Sequence, residues 1–99
     1  MTEKNIFPEL VRKLIEALDS EERQLIVSYI ITRGRPVKAS ELQRALGFKK
    51  EELDRHLEKL VDGYVLRKIP STGETDYILT STAISFLEGI VLALLPKRK

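Results

Sequence analysis

A short helical segment, a glycine turn and a longer helical segment lie between residues 40 and 62, and this order restricts the possible folds more than any other feature. Ser40-Glu41-Leu42-Gln43 has the capping-box pattern, which predicts a short helix that ends at Gly47. Phe48-Lys49 predicts a tight turn, and apolar residues at helical spacing then predict a helix over 50–62. The sequence therefore predicts a helix-turn-helix over 40–62.

The periodicity changes from helical to extended directly after Gly63. Tyr64-Val65-Leu66 is β-branched and aromatic, which is typical of a strand, and Tyr77-Ile78-Leu79 predicts the returning strand. Pro70-Ser71-Thr72-Gly73 has the composition of a turn between these two strands. The sequence therefore predicts a β-hairpin over 64–79, which we call the wing.

Two further helices are predicted before the helix-turn-helix. Pro8 suits a first helical turn, and the apolar residues after it predict a helix over 8–18. Asp19 and Glu22 form another capping-box pattern, which predicts a helix over 20–32. The residues expected to face inward on this second helix are Leu25, Ile26, Tyr29 and Ile30. The run 35–38 then predicts a short extended connection, because Pro36 disfavours helix in the residue before it.

The last predicted helix, over 80–95 with Thr80 as its cap, is apolar around most of its circumference. A membrane span needs about 20 apolar residues, whereas the apolar run here is shorter and contains Glu88. Such a helix must be buried on more than one side, and a single domain over 1–99 has little else to cover it. We therefore predict a two-fold homodimer that joins the first and last helices. The residues predicted at this interface are Leu10, Leu14, Phe86, Ile90 and Leu94.

Composition excludes several classes of function. The chain has no cysteine and one histidine, so it offers no disulfide, no cysteine nucleophile and no multi-histidine metal site. It also has no nucleophile–base pair and no glycine-rich phosphate loop, so we predict neither an enzyme nor a cofactor. Pro8, Glu9 and Arg12 interrupt the first apolar run, which does not fit a signal peptide and leads us to expect a cytoplasmic protein.

The helix-turn-helix and the residues around it resemble a known family. The segments Ser40-Glu41-Leu42, Ala45-Leu46-Gly47 and 55–65 are similar to the ArsR-like and MarR-like winged helix-turn-helix transcriptional regulators, and the resemblance covers roughly residues 18–87. It implies a mainly α-helical fold with a small β-hairpin wing, and binding to double-stranded DNA. Metal sensing is not implied, because the cysteine ligands of the metal-sensing branch are missing.

The predicted helix 50–62 would be the recognition helix of such a protein. Its outward stripe contains Glu51, Arg55, Lys59 and Asp62, and Lys49, Lys50 and Arg55 are the residues best placed to reach DNA. Glu51 has two interpretations. It either complements the helix dipole and pairs with Arg55, or, like Asp54, accepts a hydrogen bond from a cytosine amino group.

The other DNA contacts are expected from the wing and from the first helix of the pair. Arg67 and Lys68 either follow the DNA backbone or protect a hairpin edge with charge, and the resemblance places Ser40 and Arg44 against phosphates. His56 is expected to be a half-buried helix residue or a phosphate contact, not a metal ligand. The full set of predicted DNA-binding residues is Ser40, Arg44, Lys49, Lys50, Glu51, Asp54, Arg55, Lys59, Arg67 and Lys68.

Two functions are compatible with these features of the sequence. The first is a homodimeric, sequence-specific transcriptional regulator that binds a pseudo-palindromic DNA site. The second is a winged helix that binds another protein within a transcription or chromosome-organising complex, which the acidic residues of the recognition helix and the net charge of +2 favour. No polar cluster in the sequence marks a pocket for a small-molecule effector.

Overall fold

Five helices and three short strands make up the described part of the chain. The computed structural model describes the backbone of residues 7–94 and the side chains of residues 8–89. The elements, in chain order, are α1 (Phe7–Ala17), α2 (Glu21–Arg33), β1 (Val37–Lys38), α3 (Ala39–Leu46), α4 (Lys50–Asp62), β2 (Leu66–Ile69), β3 (Asp76–Leu79) and α5 (Ser81–Leu94).

One hydrophobic core holds these elements together. Each of them contributes at least one buried or half-buried apolar side chain to this core. The most deeply buried side chains are Leu14, Ile26, Ile30, Val37, Leu42, Leu53, Leu57, Leu60, Val65 and Leu66. The helix-turn-helix is therefore supported from beneath by α2 and by the sheet, which fixes the orientation of its outer face.

The start of α2 differs from the prediction. Ser20, and not Asp19, is the residue that caps this helix, because its hydroxyl accepts a hydrogen bond from the Arg23 backbone N–H at 3.3 Å. The inward face of α2 is formed by Ile26, Val27 and Ile30, and the expectation that Leu25 faces inward is wrong, since its side chain is 53% exposed. Val27 takes the place in the core that was predicted for Leu25.

The start of α3 also differs. The helix begins at Ala39, one residue before the predicted cap, and Lys38 occupies the cap position without a side-chain hydrogen bond to the helix. Lys38 belongs to β1, so the extended strand leads directly into α3 and places Ser40 inside the first helical turn. The predicted capping role of Ser40 is therefore wrong.

The extended connection 35–38 contributes a third strand to the sheet. The strand order is β1-β3-β2 with antiparallel pairs, and Val37 lies opposite Tyr77 while Lys38 lies opposite Asp76. On the other side of β3, Leu66 lies opposite Leu79 and Ile69 lies opposite Asp76. The wing is thus anchored near the tip end of its paired strands, because β1 joins β3 there to the N-terminal end of α3.

Tyr64 forms the bend between α4 and the wing and does not belong to β2. It adopts a left-handed backbone conformation with φ of 65°, which few residues other than glycine, asparagine and aspartate adopt. The preceding residue, Gly63, lies against α1, where an added Cβ would collide with the Ala17 side chain and lie 3.0 Å from the Lys13 carbonyl oxygen. Helix α1 therefore packs directly on the backbone at the end of α4.

The first turn of α5 is attached to the same bend. The Thr80 hydroxyl accepts a hydrogen bond from the Ala83 N–H at 2.9 Å, as the predicted cap requires, and donates one to the Tyr64 carbonyl at 2.6 Å. Of the residues predicted on this helix, Leu95 lies outside the described residues. Among the helices within 7–94, none combines the length and the apolar character that a membrane crossing needs.

Candidate nucleic-acid interface

The turn between α3 and α4 sets the angle of the helix pair. Gly47 ends α3 in the left-handed conformation with φ of 78°, and its N–H donates to the Gln43 carbonyl at 2.9 Å. A residue with a side chain would be strained in this conformation, which explains glycine at the turn. Because Leu53, Leu57 and Leu60 of α4 are all buried, the opposite face of α4 is turned to solvent.

The outward face of α4 carries the predicted recognition residues. All of the residues proposed for this helix and its cap are exposed, and these are Lys49, Lys50, Glu51, Asp54, Arg55 and Lys59. The expected Glu51–Arg55 pair is not formed, and the ion pair along the helix joins Lys50 and Asp54 instead, with Nζ and Oδ2 3.2 Å apart. Arg55 and Lys59 make no side-chain hydrogen bond to any other residue of 8–89, so both are available to a ligand.

His56 is a half-buried residue that connects α4 to the first turn of α2. Its ring lies against the Phe48 ring, with centroids 5.7 Å apart, and its Nδ1 is 3.3 Å from the Arg23 guanidinium. The same guanidinium donates to the Ala17 carbonyl at 2.6 Å. These contacts favour a structural role for His56 over the alternative of a phosphate contact.

The start of α3 is occupied by acidic residues of the wing. Ser40 donates hydrogen bonds to the Glu74 carboxylate from its backbone N–H at 3.1 Å and from its hydroxyl at 3.0 Å. Lys38 forms an ion pair with Asp76, with Nζ and Oδ1 2.7 Å apart. Arg44, in the last turn of α3, is exposed. Of the two α3 residues predicted to contact phosphate, Arg44 is therefore accessible, whereas Ser40 already has a partner.

The wing presents both of its predicted cations to solvent. Arg67 and Lys68 are exposed neighbours on β2, opposite Ile78 and Tyr77 of β3. Because successive residues of a strand point to opposite faces, the two cations project from different sides of the hairpin.

Carboxylates of the wing and of α4 lie near Tyr77. Burial raises the pKa of the Tyr77 hydroxyl, and the nearby carboxylates of Asp54, Glu58 and Glu74 raise this pKa further, while Lys50 lowers it. Exposed cations also lie on the outer face of α4 and on β2. Within the described residues, no three histidine, aspartate or glutamate side chains are grouped so that they could hold a metal ion.

The comparisons with known proteins identify the fold. No family model matches the sequence, and no curated protein matches it closely enough to count as a relative. Solved structures do match over nearly the whole chain. HlyU from Vibrio cholerae is 22% identical, with a TM-score of 0.74 over 94% of this chain and 97% of its own.

Two further solved structures match this chain over most of its length. The first is the homodimeric winged helix-turn-helix DNA-binding domain of Mb0332 from Mycobacterium bovis, which is described as a possible ArsR-family regulator. It is 14% identical, with a TM-score of 0.76 over 95% of this chain and 89% of its own. The transcriptional repressor BigR from Xylella fastidiosa is 16% identical, with a TM-score of 0.69 over 91% of each chain.

The chain has a winged helix-turn-helix fold. The predicted fold class, mainly α-helical with a small β wing, is confirmed, and the resemblance to winged helix-turn-helix regulators holds at the level of the fold. In this winged helix, α3 and α4 are the helix pair, and β2 and β3 form the wing.

The predicted dimer surface of the winged helix is only partly in the described region. Leu14 is 1% exposed in the single chain, so it packs in the core of its own subunit and cannot contribute to an interface. Leu10 and Phe86 are half-buried against the core. The side chains of Ile90 and Leu94 lie outside the described residues.

An apolar groove, which no sequence pattern indicated, runs beside the first half of α5. It has a volume of about 740 Å³ and lies between α2, β3 and α5. Its apolar lining consists of Ile30, Ile31, Ile78, Leu79, Ile84 and Leu87. Ile31 and Ile84 are 50% and 42% exposed. These residues are distant in sequence, so local periodicity does not bring them together.

Glu74 and Asp76 are residues of the interface region that were not predicted from the sequence. Both lie beside the predicted returning strand and were not assigned a role. Their partners Ser40 and Lys38 are more than 30 residues away in the chain, and only the pairing of β1 with β3 brings them together.

Proposed function

We propose that this protein is a homodimeric transcriptional regulator that binds double-stranded DNA in a sequence-specific manner. The observation that carries the proposal is the accessible face of α4, where Arg55 and Lys59 are exposed next to a wing that exposes Arg67 and Lys68. An arginine on a recognition helix can read guanine through two parallel hydrogen bonds, and lysines can contact phosphates. The matching solved structures are transcriptional regulators, which supports a binding protein and not an enzyme.

In this proposal α4 enters the major groove and the wing follows the flanking backbone. Arg55 reads a base, while Lys49, Lys50, Arg67 and Lys68 contact phosphates, as does Arg44 at the end of α3. Glu51 and Asp54 remain candidates for accepting a hydrogen bond from a cytosine amino group. Since Asp54 is paired with Lys50 in the free protein, Glu51 is the more accessible of the two acceptors.

The proposed dimer is supported by the apolar surface beside α5. Ile84 on α5 and Ile31 on α2 are substantially exposed along the groove, and burial of such a surface by a second copy would stabilise the assembly. The Mb0332 domain, which has the same fold, is homodimeric. A two-fold dimer places two recognition helices in successive major grooves, so we expect pseudo-palindromic half-sites about 34–36 Å apart.

Selection of bound fragments from random duplex DNA, followed by titration of the enriched duplex, tests this proposal. We expect enrichment of an inverted repeat, an affinity that falls steeply with salt, and one dimer on each duplex. Selection without enrichment of any motif, together with equal binding of all duplexes, would contradict sequence-specific regulation. If the proposal is correct, the protein acts in the compartment that holds the DNA, which we propose is the cytoplasm.

Binding to another protein is the second candidate, and one observation favours it. The carboxylates of Asp54, Glu58 and Glu74 lie near enough to Tyr77 to raise its pKa, and carboxylates beside the DNA-facing surface would repel phosphates. The excess of acidic residues on α4, five against three basic ones, also favours a protein partner. The affinity for a protein partner of mixed charge would depend weakly on salt concentration, whereas the affinity for DNA falls strongly as salt is added. A salt titration therefore separates the two functions.

A further inference from the structure

The tip of the wing is attached to the helix-turn-helix by one carboxylate. We define the wing tip as residues 70–75. Glu74 accepts two hydrogen bonds from Ser40, one from the backbone N–H and one from the hydroxyl. Its own backbone carbonyl accepts a hydrogen bond from the Ser71 hydroxyl at 2.7 Å. Glu74 therefore closes the turn at the wing tip and joins this turn to the first turn of α3.

A second contact holds the end of the paired strands next to the wing tip against the strand that leads into the same helix. Lys38 and Asp76 face each other across the β1–β3 pair, and their side chains form an ion pair. Asp76 also lies opposite Ile69, the last residue of β2. With the last strand pair held through Asp76, the Glu74–Ser40 contact fixes the orientation of the tip beyond the paired strands.

We infer that Glu74 is a positioning residue, which holds the wing tip in a fixed orientation to the helix-turn-helix before DNA binds. This inference rests on the proposed function. The strand pairs hold Arg67 and Lys68 in place but end at Ile69 and Asp76, so an unattached tip would have to be ordered when DNA binds. Attachment through Ser40 removes part of that entropic cost, and keeps the wing tip at a set position beside the helix-turn-helix.

Electrostatics alone predict the opposite effect of Glu74. A carboxylate next to the DNA-facing surface repels phosphates, so its removal should strengthen binding if it had no positioning role. The two effects can be separated, because glutamine keeps the shape of the side chain and loses its charge. A glutamine amide can still accept from the Ser40 N–H and can donate to the Ser40 hydroxyl, whereas alanine makes neither contact.

The experiment compares Glu74→Ala with Glu74→Gln, two variants of equal charge, on the duplex enriched by selection. Glu58→Ala and Glu58→Gln are the matched control pair, because Glu58 is exposed on α4 and makes no side-chain hydrogen bond within residues 8–89. We expect Glu74→Ala to bind about two- to tenfold more weakly than Glu74→Gln, and no difference between the Glu58 variants. In the double variant with Ser40→Ala, the difference between alanine and glutamine at position 74 should become smaller, because the hydroxyl contact is lost while the backbone N–H of residue 40 can still donate to glutamine.

Amide hydrogen exchange in the DNA-free protein provides a readout that is independent of DNA. We expect faster exchange at residues 71–75 in Glu74→Ala than in Glu74→Gln, with unchanged exchange in the core of α4. Equal affinities and equal exchange for the two Glu74 variants would overturn the inference. If the wild-type protein does not bind duplex DNA at any salt concentration, both the proposed function and the role of Glu74 in DNA binding are wrong. The exchange data still show in that case whether Glu74 holds the wing tip.

Discussion

Arg35 and Glu41 form a two-pronged ion pair, with Nη2 and Oε2 2.9 Å apart and Nη1 and Oε1 3.1 Å apart. The Tyr29 hydroxyl donates to the same carboxylate at 2.7 Å. Since Tyr29 lies on α2 and Glu41 on α3, these contacts join the supporting helix to the helix-turn-helix. The hydrogen bonds from Arg35 and then from Tyr29 lower the pKa of the Glu41 carboxyl from 4.5 to about 2.

This lowered pKa predicts that Glu41 contributes to stability in a defined pH range. Folding favours the charged Glu41 carboxylate. Its contribution to the free energy of unfolding is therefore fully present above pH 4.5 and is lost as the pH falls towards about 2. We expect the wild-type protein to lose stability relative to Glu41→Gln over this range, as measured by urea unfolding at a series of pH values. Glu58→Gln is the control for loss of one exposed carboxylate, and a stability difference between wild type and Glu41→Gln that stays constant with pH would contradict the prediction.

Arg55 and Lys68 are predicted to have different roles on DNA. Replacement of Arg55 by alanine should cost about 1–3 kcal/mol of discrimination at one base pair, because the base contact is lost. Lys68→Ala should weaken binding nearly equally on all sequences and reduce the slope of log affinity against log salt by about 1. Arg55→Lys keeps the charge without the two-pronged geometry, so it should retain affinity for random DNA and lose discrimination.

Titration of single-base variants of the selected duplex measures these effects, and equal profiles for the Arg55 and Lys68 variants would contradict the assigned roles.

Gly63 is predicted to be essential for the packing of α1 on α4. An alanine at this position would collide with the Ala17 side chain and crowd the Lys13 carbonyl, so Gly63→Ala should reduce the free energy of unfolding by about 1–3 kcal/mol. Removal of the colliding group in the double variant with Ala17→Gly should restore part of this loss. Chemical unfolding of the two single variants and the double variant measures the coupling, and strictly additive effects would show that the collision is not the cause.

The proposed dimer predicts that a charge beside the apolar groove prevents association. Ile84→Asp places a carboxylate on the exposed apolar surface of α5 and should convert the dimer to a monomer at micromolar concentration. Thr82→Asp introduces the same charge at an exposed position in the first turn of the same helix, where it favours the helix dipole, and should remain dimeric. Sedimentation velocity measures both, and a wild-type protein that is monomeric in this range would contradict the dimer itself.

The local sequence pattern predicts the range of α4 but not the ion pair on its outer face. This range, Lys50–Asp62, follows from the spacing of Leu53, Leu57 and Leu60, because a helix that buries one face must place its apolar residues on that face. The ion pair on its outer face was assigned to Glu51 and Arg55, whereas Lys50 and Asp54 form it. Both pairs have the same spacing, so sequence separation does not decide between them.

The order of helices and strands, the glycine turns and the inward face of most elements follow from the local sequence, because each of these depends on contacts within a few residues of the chain. Long-range packing instead sets how separate segments meet. It made the 35–38 connection a strand, gave Ser40 a carboxylate partner instead of a capping role, placed Leu14 in the core and formed the groove beside α5. These outcomes depend on the pairing of β1 with β3 and on the packing of distant helices, which local periodicity does not specify.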